Sequence, residues 1–158
     1  MTESSPGESP EETAARLIAQ AREGALGTKL AGDPGGAPYV SLVLLGRDAS
    51  PGPLLLLSEL ADHSKNLKAD PSASLLLREA AGTGDPLAQA RVTLQGKVAR
   101  LPQSEREAAK EAFLARHPAA ALYADFGDFA FYRLEIERLH LVAGFGRIHW
   151  IGAKALPL

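Results

Sequence analysis

Residues 62–66, Asp-His-Ser-Lys-Asn, place a carboxylate, an imidazole, a hydroxyl, an ammonium and an amide within little more than one helical turn. They stand at the head of a short polar stretch, between the apolar runs LLLLSELA and SASLLL. That pattern predicts a strand, a short helix and a new strand, with Asp62 or Ser64 capping the helix. The free N–H groups of a first helical turn carry partial positive charge and attract anions. His63, Ser64 and Lys65 add side-chain donors at the same place, a set suited to a phosphate. The plainer alternative is a capped surface helix with a solvated Lys65, and spacing alone favours it.

Two further groups could do chemistry. Arg91 opens a strand whose polar face also carries Thr93, Gln95 and Lys97, although such a face is commonly just the wet side of a strand. The stretch GFGRIHWI, residues 144–151, joins two permissive glycines to Arg147, His149 and Trp150. An indole stacks on flat rings and an imidazole can ligate iron. The alternative for Trp150, a core or interface anchor, is the commoner role of a lone tryptophan. Other chemistries find no support. The four histidines show no metal-ligand spacing, there is no phosphate loop or nucleophile elbow, and there is no cysteine. Glu135 and Glu137 read as neighbours of a hairpin turn.

The elements that must position these groups follow from the hydrophobic pattern. The chain has 158 residues and a formal net charge of −2 with scattered cations, which suits one domain and argues against nucleic acid as a partner. The acidic start lacks a signal peptide's basic and apolar regions, and no apolar run approaches the ~20 residues of a membrane span. These features predict a soluble, cytoplasmic protein. Residues 1–11 read as a disordered tail and residues 12–158 as the domain. Ser9-Pro10-Glu11-Glu12 reads as a capping box, followed by Ala14, Leu17, Ile18, Ala21 and Ala25 on one helical stripe, with Gly24 or Gly27 as the stop. GTKLA, YVSLVLLGRD and PLLLLSEL are expected strands, the last two forming a hairpin about the turn ASPG. AAGTGDPLA is expected as loop. In ARVTLQGKVARL, Val92, Leu94 and Val98 face one way, and Gly96 marks a bulge or close approach. A second capping box, Ser104 to Glu107, opens a helix with Ala109, Ala112 and Phe113 inward. The final strand-rich stretch changes face near residues 135–138. Six or seven strands and three helices without βαβ alternation predict an antiparallel barrel flanked by helices.

In this order and spacing, LLLLSELADHSKNLKADPSASLLL, DPLAQARVTLQGKVARL and FYRLEIERLHLVAGFGRIHWI resemble the pyridoxamine 5′-phosphate oxidase-like, FMN-binding split-barrel family, and within it the heme-utilisation (HugZ-type) branch. The resemblance covers roughly Thr13 to Ile151. It implies a mainly β fold, a six-stranded antiparallel split barrel with flanking helices, working as a homodimer with cofactor sites at the interface. It implies that the flavin phosphate sits near His63, Ser64, Lys65 and Asn66, with Ser58 beside the flavin. Val40, Ser41 and Leu42 would line the ring, and Arg91 would reach it from the partner. Arg147, His149 and Trp150 would complete the site near the C-terminus. On this basis the chain is expected to be an FMN-binding flavoprotein, an oxidoreductase with unassigned catalytic residues and no true pyridoxamine phosphate oxidase activity. The alternative is a heme-binding or heme-degrading protein using the same dimer cleft, with His149 as iron ligand. A third class is a non-catalytic flavin or heme sensor.

Overall fold

Ser9 starts the first helix as the pattern requires. The computed structural model describes residues 7–79 and 84–157. In it the Ser9 hydroxyl accepts from Glu12 N at 3.1 Å, while Glu12 Oε2 accepts from Ser9 N at 2.8 Å. This capping box opens α1 (Pro10–Gln20), which buries Ala14, Leu17 and Ile18. The helix therefore begins inside the segment 1–11 assigned as tail, of which residues 1–6 lie outside the described residues. It also stops before Gly24: Ala21 is the C-cap, and Ala25 belongs to the first strand, β1 (Glu23–Lys29).

β1 turns through a loop braced by Asp33, whose carboxylate accepts from Ala37 N at 2.7 Å, with Gly32 and Gly36 at positive φ. The chain returns as β2 (Pro38–Leu44), antiparallel to β1. β3 (Leu54–Ser58), α2 (Asp62–Ala69), β4 (Ser72–Arg78), β5 (Arg91–Arg100), α3 (Arg106–Arg116), β6 (Phe129–Val142) and β7 (Ile148–Gly152) follow. The sheet order is β2-β1-β4-β5-β6-β3, with β7 also paired to β6. All pairings are antiparallel.

The expected β2–β3 hairpin does not form. β2 pairs with β1, and β3 pairs with the distant β6, from Leu54–Arg133 to Ser58–Phe129. Just past the end of β2, Gly46 forms an isolated bridge with Leu54 of β3, with N–H···O distances of 2.9 and 3.0 Å, and this bridge closes the barrel. The sequence signal failed because β3 is buried on both faces, so its leucine run carries no directional information.

The expected loop at residues 80–88 falls partly on 80–83, outside the described residues; Pro86–Ala88 form a 3-10 turn. The second capping box is replaced by a 3-10 turn at Gln103–Glu105, so α3 starts at Arg106 with no side-chain cap. Ala109 and Phe113 are buried as expected. Glu135 and Glu137 sit in no hairpin. They lie within the continuous β6, where the β5 register shifts between Gln95 and Gly96. A Cβ on Gly96 would lie 1.9 Å from the Glu135 carbonyl oxygen, so this bulge requires glycine. The extra residue lets β6 exchange faces, as its sequence implied.

Two cores result. The barrel interior is filled from every strand and capped by α1. A smaller cluster of Leu54, Leu56, Ala109, Phe113, Ala120, Ala124 and Phe131 fixes α3 outside it.

Candidate functional site

Register places three of the candidate residues, Ser41, Leu42 and Trp150, on two neighbouring rows that cross the same six strands. The inner row runs Ser41, Leu26, Leu75, Leu94, Leu139, Ile151. Its four central leucines are fully buried. The outer row runs Leu42, Ala25, Leu76, Thr93, His140, Trp150. Here Leu42 is 72% exposed, Leu76 44% and Trp150 61%. Val40, two residues from Leu42 on the same face, is also exposed. This is an apolar stripe on the open side of a sheet.

At the β2 edge, α2 closes over the barrel mouth. Ser64 is buried, and its hydroxyl donates to the Ser58 carbonyl at 2.6 Å. The Ser58 hydroxyl in turn donates to Asp128 Oδ2 at 2.7 Å. Asn66 is buried too, donating to Thr28 Oγ1 at 3.0 Å and accepting from Ala31 N at 2.8 Å. The Ser64 and Asn66 side chains are thus engaged in holding α2 to β3 and β1, while the Ser58 hydroxyl ties the end of β3 to Asp128. The N-cap of α2 is Ala61, without a side-chain cap, and Asp62 falls in the first turn. Ser41 and His63 meet at 3.1 Å (Oγ to Nδ1), and burial pushes the His63 pKa down against the opposing pull of Asp62. Lys65 is exposed. The trio Val40, Ser41, Leu42 divides, since Ser41 faces inward to His63 while its neighbours face out.

At the β7 edge, His140 and Trp150 stack with ring centroids 4.5 Å apart, and the Arg138 guanidinium lies 5.4 Å from the indole centroid. Arg138 also donates to Gln95 Oε1 at 2.8 Å. His149 alternates with Trp150 along β7 and so projects to the opposite side, in register with the buried Leu141. Arg91 stands between Arg78 and Val142 and donates to the Leu87 carbonyl at 3.1 Å. Arg147 closes the β6–β7 turn, where Gly144 and Gly146 have positive φ and Ala143 N donates to the Arg147 carbonyl at 2.9 Å. His140 and Arg138 were missed as candidates because only the β6–β7 register sets them against Trp150. Beside the stripe lies a groove of about 540 Å³, lined among others by Lys29, Ser74, Gln95 and Arg138.

The β2 and β7 groups are thus on opposite edges, five strand spacings or roughly 24 Å apart along the sheet. A flat apolar ring with anionic arms fits the outer face, which offers exposed aliphatic and indole surface, imidazole, and the cation Arg138. A flavin phosphate fits less well. The hydroxyl expected to grip it is turned inward, and Asp62 places negative charge at the helix start.

This antiparallel half-barrel with flanking helices is a split barrel of the pyridoxamine-phosphate-oxidase kind. It is similar (TM-score 0.68, 15% identity, 91% of this chain and 94% of the other) to a Clostridium acetobutylicum protein related to general stress protein 26, of the pyridoxinephosphate oxidase family. The family model described as CREG, beta-barrel, matches residues 6–156, and the chain belongs to that family. It is also similar to the heme binding protein of Mycobacterium smegmatis, with TM-score 0.85 and 35% identity over 93% of this chain and 59% of that one. Over 109 residues it is 38% identical to the chloroplastic non-canonical heme oxygenase HOZ of Arabidopsis thaliana, covering 69% of this chain and 33% of that protein. The chain spans about a third of the plant relative's length. Among the described residues, no helix is long and apolar enough to cross a membrane.

Proposed function

We propose that this chain is a heme-binding protein of the heme-utilisation type, working as a homodimer that holds the porphyrin against the outer face. The observation that carries this reading is the exposed apolar row from Leu42 to Trp150. The heme named for two of its relatives supports it and displaces the FMN reading from first place. A second copy would bring the β2 edge of one protomer beside the β7 edge of its partner, joining the two half-sets that one chain keeps apart. Val40, Leu42, Leu76 and Trp150 would cover the ring, and Arg138 and Lys65 would meet the propionates. His140 shares the open face with Trp150, so it is the imidazole this reading places at the iron; His149 projects the other way. Bound heme would supply a redox-active iron. The chain's own part is to orient the ring, exclude water and neutralise its carboxylates.

Hemin titration followed by absorbance tests this. Saturable binding with a sharpened Soret band is expected, whereas FMN should show none at the same concentrations. His140→Ala should change the iron spectrum and His149→Ala should leave it as it is. Leu42→Glu should halve the mass seen by light scattering and weaken hemin together. Tight FMN binding without hemin binding would overturn the reading. A second reading, oxidative breakdown of the bound heme, is favoured by the name of the plant relative. It requires the Soret band to decay under dioxygen and a reductant.

A further inference from the structure

The far end of the β1–β2 pair gathers positive charge that no described carboxylate balances. The Arg22 carbonyl accepts from Leu45 N at 2.9 Å, and the Leu45 carbonyl lies 2.8 Å from His117 Nε2. Gly46 packs so closely on α3 that an added Cβ would lie 2.6 Å from the Phe113 ring. Residues 45–47 are therefore pressed against the last turn of α3. From that turn Arg116 donates to the carbonyls of Ala19 and Ala21 at 3.0 and 2.9 Å, covering the end of α1. Arg22 answers with a 2.6 Å bond to the Arg116 carbonyl, covering the end of α3. Each arginine thus caps the other's helix, as cations at helix C-termini do.

Arg47 has no such explanation. Its Nη1 is buried and finds no hydrogen-bond partner among the described residues. The neighbouring Asp48 is taken by Arg133, at 2.9 and 2.6 Å. Among the described residues none of Arg22, Arg47 and Arg116 forms an ion pair, although carboxylates bind Arg16, Lys29, Arg100, Arg106, Lys110 and Arg133. Burial, and then the charges of Arg22 and Arg47, push the Arg116 pKa down. A buried guanidinium N–H without an acceptor is costly, and so are like charges in one half-buried corner. One bound oxyanion relieves both.

We propose that Arg47, together with Arg22 and Arg116, forms a binding site for a small oxyanion, a phosphate or carboxylate group, where the C-terminal ends of α1 and α3 meet. It lies beyond the ends of β1 and β2, where the nearest members of the outer row, Ala25 and Leu42, are three residues or roughly 10 Å away along their strands.

Thermal unfolding in sodium phosphate, sodium acetate and sodium chloride at matched ionic strength tests it, with calorimetric titration of phosphate alongside. Phosphate or acetate should raise the wild-type midpoint beyond chloride. A response to phosphate alone identifies a phosphoryl ligand, and an equal response to acetate a carboxylate one. In Arg47→Gln that extra rise should vanish and phosphate should bind at least about tenfold more weakly, the loss of one charge-assisted contact. Hemin titration of Arg47→Gln should be unchanged, which keeps this test apart from the heme reading. If neither anion exceeds chloride in the wild type, or if Arg47→Gln keeps the full rise, the site does not exist.

Discussion

Leu75 and Leu76 are adjacent in β4, yet one is fully buried and the other is 44% exposed. The same contrast holds for the rows they stand in. Both cross six strands and both are rich in apolar groups. The inner row is finished within one chain, closed by α1 and the opposite wall of the barrel. Among the described residues nothing covers the outer row at Leu42, Leu76 and Trp150. Apolar content alone therefore does not say what a row is for. A row completed by its own chain serves stability, and one left open serves binding.

The largest effect that would sharpen this contrast is on stability. Leu75→Ala should cost about 2–5 kcal/mol in denaturant unfolding, since it leaves a cavity in a closed core. Leu76→Ala should cost no more than about 0.5 kcal/mol in the unliganded chain and should instead weaken hemin binding. Equal losses of stability from both would erase the distinction.

Gly96→Ala tests how the two rows exchange places along β6. Its Cβ would meet the Glu135 carbonyl, so unfolding should show a loss of about 1–3 kcal/mol. The His140–Trp150 stack should be disturbed as well, which Trp150 fluorescence reads as the chain's one indole. An unchanged spectrum would separate the bulge from the outer face.

The smallest effect concerns the inner row's polar end. Burial keeps the folded-state pKa of His63 below its ordinary value of 6.5. Between the lowered value and 6.5 the unfolded chain binds the extra proton, so stability is full above pH 6.5 and falls as pH drops through that window. His63→Gln should remove this part of the acid dependence in pH-resolved unfolding. An unchanged slope would place the titrating group elsewhere.

Alternation made β5 legible from sequence, because Val92, Leu94 and Val98 are buried one residue in two. The Ser9 capping box and the Gly96 bulge were legible too, since each rests on contacts or sterics with a local signature. Long-range pairing was not. Nothing near β3 announces that its partner is β6, and nothing near His140 announces Trp150. The trio at Val40, Ser41 and Leu42 was found as a segment, but its division between two faces became clear only with the register. Ser64 and Asn66 looked like ligand groups by type, and only tertiary structure shows their polar atoms turned inward. The candidate site at α2 was therefore legible as a place more than as a set of contacts.

The bridge between Gly46 and Leu54 has a mechanical meaning. Six strands in the order β2-β1-β4-β5-β6-β3 wrap around the core, and among the described residues this single reciprocal pair joins the segment just past β2 to β3. Phe113 presses on Gly46 and shares a cluster with Leu54, so α3 works as a latch across a seam. The barrel's closure is then held by a helix docked from outside, and whatever loosens α3 would let the cylinder uncurl along that one line.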